Sequence, residues 1–208
     1  MPLEIFEPTE SPFGHSYEDH IKNYWKYICR LPKDENPVID NNGQKDEISN
    51  QNSTDPVFYL NFSRNGGSLV ERTCKVPTGK GVFIPVMCVE VSEKEVQNSS
   101  PEHLKKIAKK DQDSVKNDLS VRLDGNEVLN LHSFRIPTDV FQLEFPENAI
   151  FDVSSGSCQA VTDGFYIITK PLSPGTHTIE FKGSLESNEE DSIEPNYSVN
   201  VKYTLEVQ

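Results

Sequence analysis

The end of the chain alternates cleanly. Tyr197, Val199, Val201, Tyr203, Leu205 and Val207 are apolar, and Ser198, Asn200, Lys202, Thr204 and Glu206 between them are polar. Successive strand residues point to opposite faces, so this period of two predicts a strand with one face in a core and one in solvent. The same period marks Leu119, Val121 and Leu123 before an Asp124-Gly125 turn signal, then Phe134 and Ile136, then Phe141, Leu143 and Phe145. Val57 to Phe62, Ser68 to Val76 and Gly81 to Val91 read as three further strands, the first two separated by Gly66-Gly67. A tight turn at Thr78-Gly79-Lys80 would set Cys74 opposite Ile84, and Val70 opposite Cys88. Pro85 has no N–H to give a ladder, so its strand is expected at an edge or with a bulge. From Asp163 to Gly183, two β-rich runs flank Pro-Leu-Ser-Pro-Gly and predict a hairpin, with His177 opposite Tyr166 or Ile167.

Two segments carry a helical period instead. Ser16 suits an N-cap, with Asp19 at the third helical position. Tyr17, Ile21, Tyr24, Trp25 and Ile28 then share one face, and Pro32 stops the helix, predicted over 16–31. Ser100-Pro101-Glu102 opens a second helix over 101–116, inserted between strands, with Leu104, Ile107, Ala108 and Val115 on its buried side. Residues 1–15 read as an extended arm and 33–56 as a polar, irregular loop. The expectation is a mostly β protein: an antiparallel two-sheet β-sandwich, Ig-like or jelly-roll-like, occupying 16–208 as one domain. No internal repeat is evident.

Composition narrows the function classes. The 208 residues carry a formal charge of −13, which disfavours nucleic acid and anionic membrane surfaces as partners. No run approaches the ~18 apolar residues of a transmembrane helix. Glu4, Glu7 and Glu10 leave no basic or apolar signal region at the N-terminus. The expected location is therefore cytoplasmic, unless a leader has been removed. Cys29, Cys74, Cys88 and Cys158 form no Cys-x-x-Cys pair and are expected as buried free thiols.

No cluster spells out a reaction. The catalytic candidates are Glu90, which lies between Val89 and Val91, together with Arg72, Arg135 and His132. His132 with Ser133 and Asp139 resembles a nucleophile set only by residue type, because no Gly-x-Ser-x-Gly elbow is present. Ligand-binding candidates are Tyr24, Trp25 and Tyr27 on the first helix, plus Lys80; the aromatic stripe suits either packing on a sheet or a ligand platform. Asp40, Asn42 and Asp46 offer oxygen ligands of the kind calcium takes, but their spacing is not that of an EF-hand loop, so a solvated loop is expected there. No cofactor is implied and no transition metal is expected.

Several stretches together resemble an uncharacterised family of prokaryotic β-sandwich proteins. They are Tyr24-Trp25-Lys26-Tyr27-Ile28, Asn36-Pro37, Asp55-Pro56-Val57-Phe58-Tyr59-Leu60, Arg72-Thr73-Cys74-Lys75-Val76-Pro77-Thr78-Gly79-Lys80, Phe83-Ile84-Pro85-Val86, Ala108 to Asp113, and the segment 163–183. The resemblance spans roughly 15–208 and implies a β-sandwich, bacterial or archaeal, whose relatives are often exported. It implies no activity and no site residues. The reading from sequence is a non-catalytic binding or interaction module, monomer or homodimer, whose partner is a small molecule, glycan or protein. The alternatives are a hydrolase or lyase with a cleft built from Glu90, Arg72, Arg135 and a histidine, and a metal-binding protein.

Overall fold

The computed structural model describes residues 4–51, 54–187, 192–193 and 196–208. The chain is mostly β, in two mixed sheets. Its strands are β1 (Val57–Tyr59), β2 (Val70–Val76), β3 (Gly81–Ser92), β4 (Ser120–Leu123), β5 (Asn126–Glu127), β6 (Phe141–Phe145), β7 (Gly156–Ile168), β8 (Gly175–Glu186) and β9 (Asn196–Val207). One sheet runs β1-β3-β7-β6 and the other β2-β9-β8-β4-β5. Buried residues from both sheets join one contiguous apolar cluster.

The expectation of purely antiparallel sheets is corrected. β1 lies parallel to β3, with Val57 opposite Gly81, and β2 lies parallel to β9, with Val70 opposite Val201. Parallel neighbours need a crossover rather than a tight turn. Here the crossover from β1 to β3 is β2, which belongs to the other sheet.

Both predicted hairpins are corrected for the same reason. β2 and β3 never pair, so Cys74 does not face Ile84 and Val70 does not face Cys88. At the corner between them, Thr78 donates its N–H to Gln208 O and Gly81 to Pro56 O, so the backbone leaves one sheet for the other. β7 and β8 also lie in different sheets. After Ile168 the chain does not turn back. Thr169 donates to Val82 O and Lys170 to Glu4 O, which binds this connection to β3 and to the N-terminal arm. The partner of β8 is β9, in an unbroken register from Gly175↔Val207 to Glu186↔Asn196. His177 therefore sits opposite Leu205, not opposite Tyr166 or Ile167.

Other local readings hold or shift in detail. Pro85 is central rather than at an edge, and the ladder slips between Pro85 and Met87, the bulge its missing N–H requires. Phe134 and Ile136 do not form a strand; Leu131–Phe134 is a 3-10 turn. The β9 alternation is realised, with Tyr203 and Leu205 fully buried.

Helix α1 spans Tyr17–Cys29 and begins with a complete capping box between Ser16 and Asp19, a motif whose cap residue is worth about 1 kcal/mol. Helix α2, Gln44–Gln51, forms in the stretch expected to be irregular. Asp40 and Asn42 supply its start: Asn42 Oδ1 accepts from Gln44 N at 2.9 Å, and Asp40 Oδ2 accepts from Lys45 N at 2.8 Å. Gly43 between them has φ +92°, and a Cβ there would meet Thr73 O at 2.6 Å, so glycine lets α2 lie against β2. Helix α3, Pro101–Asp113, starts at the Ser100 cap and ends before Val115, which bridges to Leu185 instead. Among the described residues, no helix is long and apolar enough to cross a membrane.

Alternation gives the β3–β7 ladder two different faces. Cys88, Glu90, Thr162 and Tyr166 share the side on which Trp25 of α1 donates its indole N–H to Tyr166 Oη at 3.0 Å. Met87, Asp163 and Phe165 share the side that meets α3 and the segment 131–139.

Candidate functional site

The four catalytic candidates lie in different places. Arg72 points inward from β2 at the edge where the two sheets approach, and it is fully buried. Its Nε donates to Asp40 O at 2.9 Å, and its Nη1 to Asn61 O at 2.8 Å and to Tyr203 Oη at 2.5 Å. Asp46 from α2 completes the cluster. Its Oδ1 accepts from Asn61 Nδ2 at 2.6 Å and from Tyr203 Oη at 2.9 Å, and its Oδ2 lies 3.7 Å from Arg72 Nη1. Burial raises Asp46 to about 6, against the pull of Arg72. Arg72 joins β2, β9, the segment after β1 and the residues leading into α2. Its donors are committed to main-chain carbonyls and a tyrosine, so it offers nothing to a substrate.

The calcium-type candidates belong to the same construction. Asp40 and Asn42 cap α2, and Asp46 is buried against Arg72. The solvated loop expected there is instead a structural core element. Among the described residues, no three His, Cys, Asp or Glu side chains gather as metal ligands.

Arg135 is also saturated. Its Nε and Nη2 grip the buried carboxylate of Asp163 at 3.0 and 2.7 Å, its Nη1 reaches Asp113 at 2.7 Å, and its Nη2 reaches Lys109 O at 3.1 Å. This bidentate pair holds Arg135 ionised, mainly through the bonds to Asp163. His132 is exposed and touches the edge of Phe165.

The arginine pair forms one wall of an open groove of about 470 Å³ between α3, the segment 135–139 and β7. Val161, Ala108 and Pro137 give it an apolar surface; the Thr162 hydroxyl is turned to the other face, where it donates to Val89 O at 2.7 Å, and Thr138 Oγ1 accepts from Thr162 N at 3.1 Å. Lys105 and Asp139 pair across its rim at 2.7 Å, and Glu18 of α1 accepts from Asp139 N at 2.7 Å. A depression on the outer face of the five-stranded sheet is lined by Arg122, Glu180, Lys182 and Lys202, surface groups over a buried ladder.

His177 draws attention for another reason. Its Nδ1 lies 2.8 Å from Asp124 Oδ2, and its Nε2 lies 3.3 Å from Ser173 Oγ. The same Nε2 lies closer, at 2.8 Å, to the main-chain oxygen of Ser173. A carbonyl can only accept, so the ring edge that would activate the serine is already used. The trio ties the β4–β5 turn to the connection before β8.

Glu90 is the exception to saturation. It is buried on β3, and neither carboxyl oxygen makes a hydrogen bond of ordinary geometry, although the Ser92 and Glu95 side chains lie close enough to interact with it. Burial, with Glu95 nearby, pushes it well above the ordinary glutamate range. It lines a small, partly open space of about 20 Å³ with Glu95, Trp25, Phe62 and Tyr197.

The aromatic candidates on α1 are core residues. Tyr24 stacks on Phe83 at 4.9 Å, and Tyr27 stacks on Tyr59 at 5.5 Å and bonds Ser49. Trp25 is nearly all covered but reaches the Glu90 space. Lys80 sits half-buried at the β2–β3 corner, and desolvation lowers its ammonium pKa. Sequence reasoning passed over Asp163, Thr138 and Glu95. Asp163 carried the one available signal, a charge in the middle of a β-rich run.

No family model matches the chain, and no curated protein matches it. A solved structure described as the solution structure of amebosin aligns with 73% of this chain and 96% of its own, at 9% identity and a TM-score of 0.21. That similarity is too slight to carry an argument about fold or function.

Proposed function

We propose that the chain is a non-catalytic binding module, a two-sheet β-sandwich that takes its ligand in the groove between α3 and β7. The observation that carries this reading is the contrast between the candidates and the groove. Arg72 and Arg135 have their donors filled by the protein itself, His132 is exposed against Phe165 beside the occupied Arg135, and Glu90 lines a separate space. The groove stays open, with an apolar surface and the charged Lys105 and Asp139 at its rim, a make-up that suits a ligand seat. The charged rim favours a ligand with an apolar body and polar ends, whether free or displayed on a glycan or protein.

The test is protein-observed NMR of the full chain with a mixture of small metabolites and sugars. Shifts are expected to gather at Ala108, Thr138, Val161 and Thr162. Pro137→Trp, at an exposed rim position, should weaken the selected compound at least fivefold. Shifts gathered elsewhere, or turnover of any added compound, would overturn the reading.

A further inference from the structure

The space around Glu90 has a chemistry of its own, separate from the groove. Four aromatic side chains form a continuous arc beside it. Phe151 lies 6.3 Å from Trp25, Trp25 lies 5.9 Å from Phe62, and Phe62 lies 6.2 Å from Tyr197, centroid to centroid. Among the described residues, Glu90 and Glu95 are the acidic side chains of the lining. Glu95 Oε2 is anchored by Ser92, accepting from its N–H at 2.9 Å and its hydroxyl at 2.7 Å. A buried carboxyl with no partner loses hydration and receives nothing in return, which is costly unless something else meets it. Aromatic faces and carboxylates together attract one class of ligand, a soft organic cation. A hard dication would want six or more oxygens, which this lining lacks.

The structure already places a cation there. The Arg64 guanidinium lies over the Phe151 ring, 5.5 Å from its centroid. Arg64 is exposed, while its neighbours are fixed: Ser63 O accepts from the Tyr197 hydroxyl at 3.4 Å, and a Cβ on Gly67 would meet Ser198 Cβ at 2.9 Å. The remaining space of about 20 Å³ holds roughly one water, so any larger ligand must displace Arg64.

We propose that this pocket is a binding seat for a small organic cation, an alkylammonium or guanidinium ion held by Glu90 and Glu95 against the aromatic arc, with Arg64 as the chain's own occupant of its mouth. An incoming cation replaces Arg64 over Phe151, and Glu90, neutral in the empty pocket, releases its proton to solvent and meets the cation as a carboxylate beside Glu95.

Trp25 is the chain's single tryptophan, so its fluorescence reports this pocket directly. The experiment titrates the full chain and Arg64→Ala with tetramethylammonium and with methylguanidinium chloride, against sodium and potassium chloride at equal ionic strength. Saturable binding at least tenfold tighter in Arg64→Ala is expected, and the stronger of the two ions assigns the source. Adding Glu90→Gln or Glu95→Gln to Arg64→Ala should weaken binding at least tenfold, with thermal melts showing both double variants folded. The proposal fails if neither organic ion saturates the Arg64→Ala signal, if the inorganic salts reproduce it, or if both folded double variants keep full affinity.

Discussion

Two of the protein's buried charged sites are treated in opposite ways. At the edge where β1 and β2 approach, Arg72, Asp46, Tyr203 and Asn61 hold one another with short, mostly complete hydrogen bonds. Beside α1, Glu90 is equally removed from water and makes no hydrogen bond of ordinary geometry. The first arrangement offsets desolvation with charge-assisted bonds and joins elements distant in sequence. The second leaves the cost standing. A buried charge held by several elements at once marks a structural joint, whereas Glu90 beside the aromatic arc joins nothing.

The sharpest way to break that contrast is Arg72→Ala. It strips Asp46, Tyr203 and two main-chain oxygens of their shared donor, and a loss of about 3–5 kcal/mol is expected in urea unfolding. Lysine should rescue little, because a point charge cannot reach Asp40 O, Asn61 O and Tyr203 Oη together. A loss below about 1 kcal/mol for Arg72→Ala would show that the joint is not structural.

Tyr203→Phe comes next. It keeps the ring stacked on Phe181 and removes a hydroxyl that contacts Arg72, Asp46 and Asn61, for an expected cost of about 1–3 kcal/mol. The same denaturation midpoint measures it, and a neutral result would move the weight of the joint onto Arg72 alone.

The smallest effect is Glu90→Gln, and its sign depends on pH. Glu90 in the folded chain is shifted above its ordinary value of 4.5, through burial first and Glu95 second. The folded state therefore holds a proton that the unfolded state releases. The benefit of that neutral carboxyl is complete below pH 4.5 and is lost as pH rises above it toward the folded value. Wild type should match Glu90→Gln in stability at low pH and fall behind it toward neutrality. Asp46, raised to about 6, contributes the same slope to both proteins and cancels in the difference. Parallel stability curves across this range would mean that Glu90 has a partner after all.

Much of the scaffold was legible in the chain. The alternation in β9, the Ser16 capping box and the Ser100-Pro101 helix start are local patterns, and each sets its own structure. The bulge at Pro85 followed from a missing N–H. Helix α2 was hidden because its mean composition is polar, and its start depends on side-chain caps from Asp40 and Asn42 that mimic a loop signal. Of the sites, Glu90 was legible as a charge within an apolar run. Its isolation was not, because the aromatic arc comes from α1 and from residues 62, 151 and 197.

The amino-acid sequence by itself determined which segments are strands and helices and which of their faces turn inward, since period, caps and turn residues act within a few positions of one another. Only the tertiary structure decided which strand lies beside which. Strand edges carry the same N–H and C=O groups whatever the residue, so β7 and β8 read as a hairpin until the N-terminal arm and β3 claimed the donors after Ile168, and β9 claimed β8. The same long-range choice made a joint of Arg72 and buried Glu90 beside an aromatic arc drawn from distant segments.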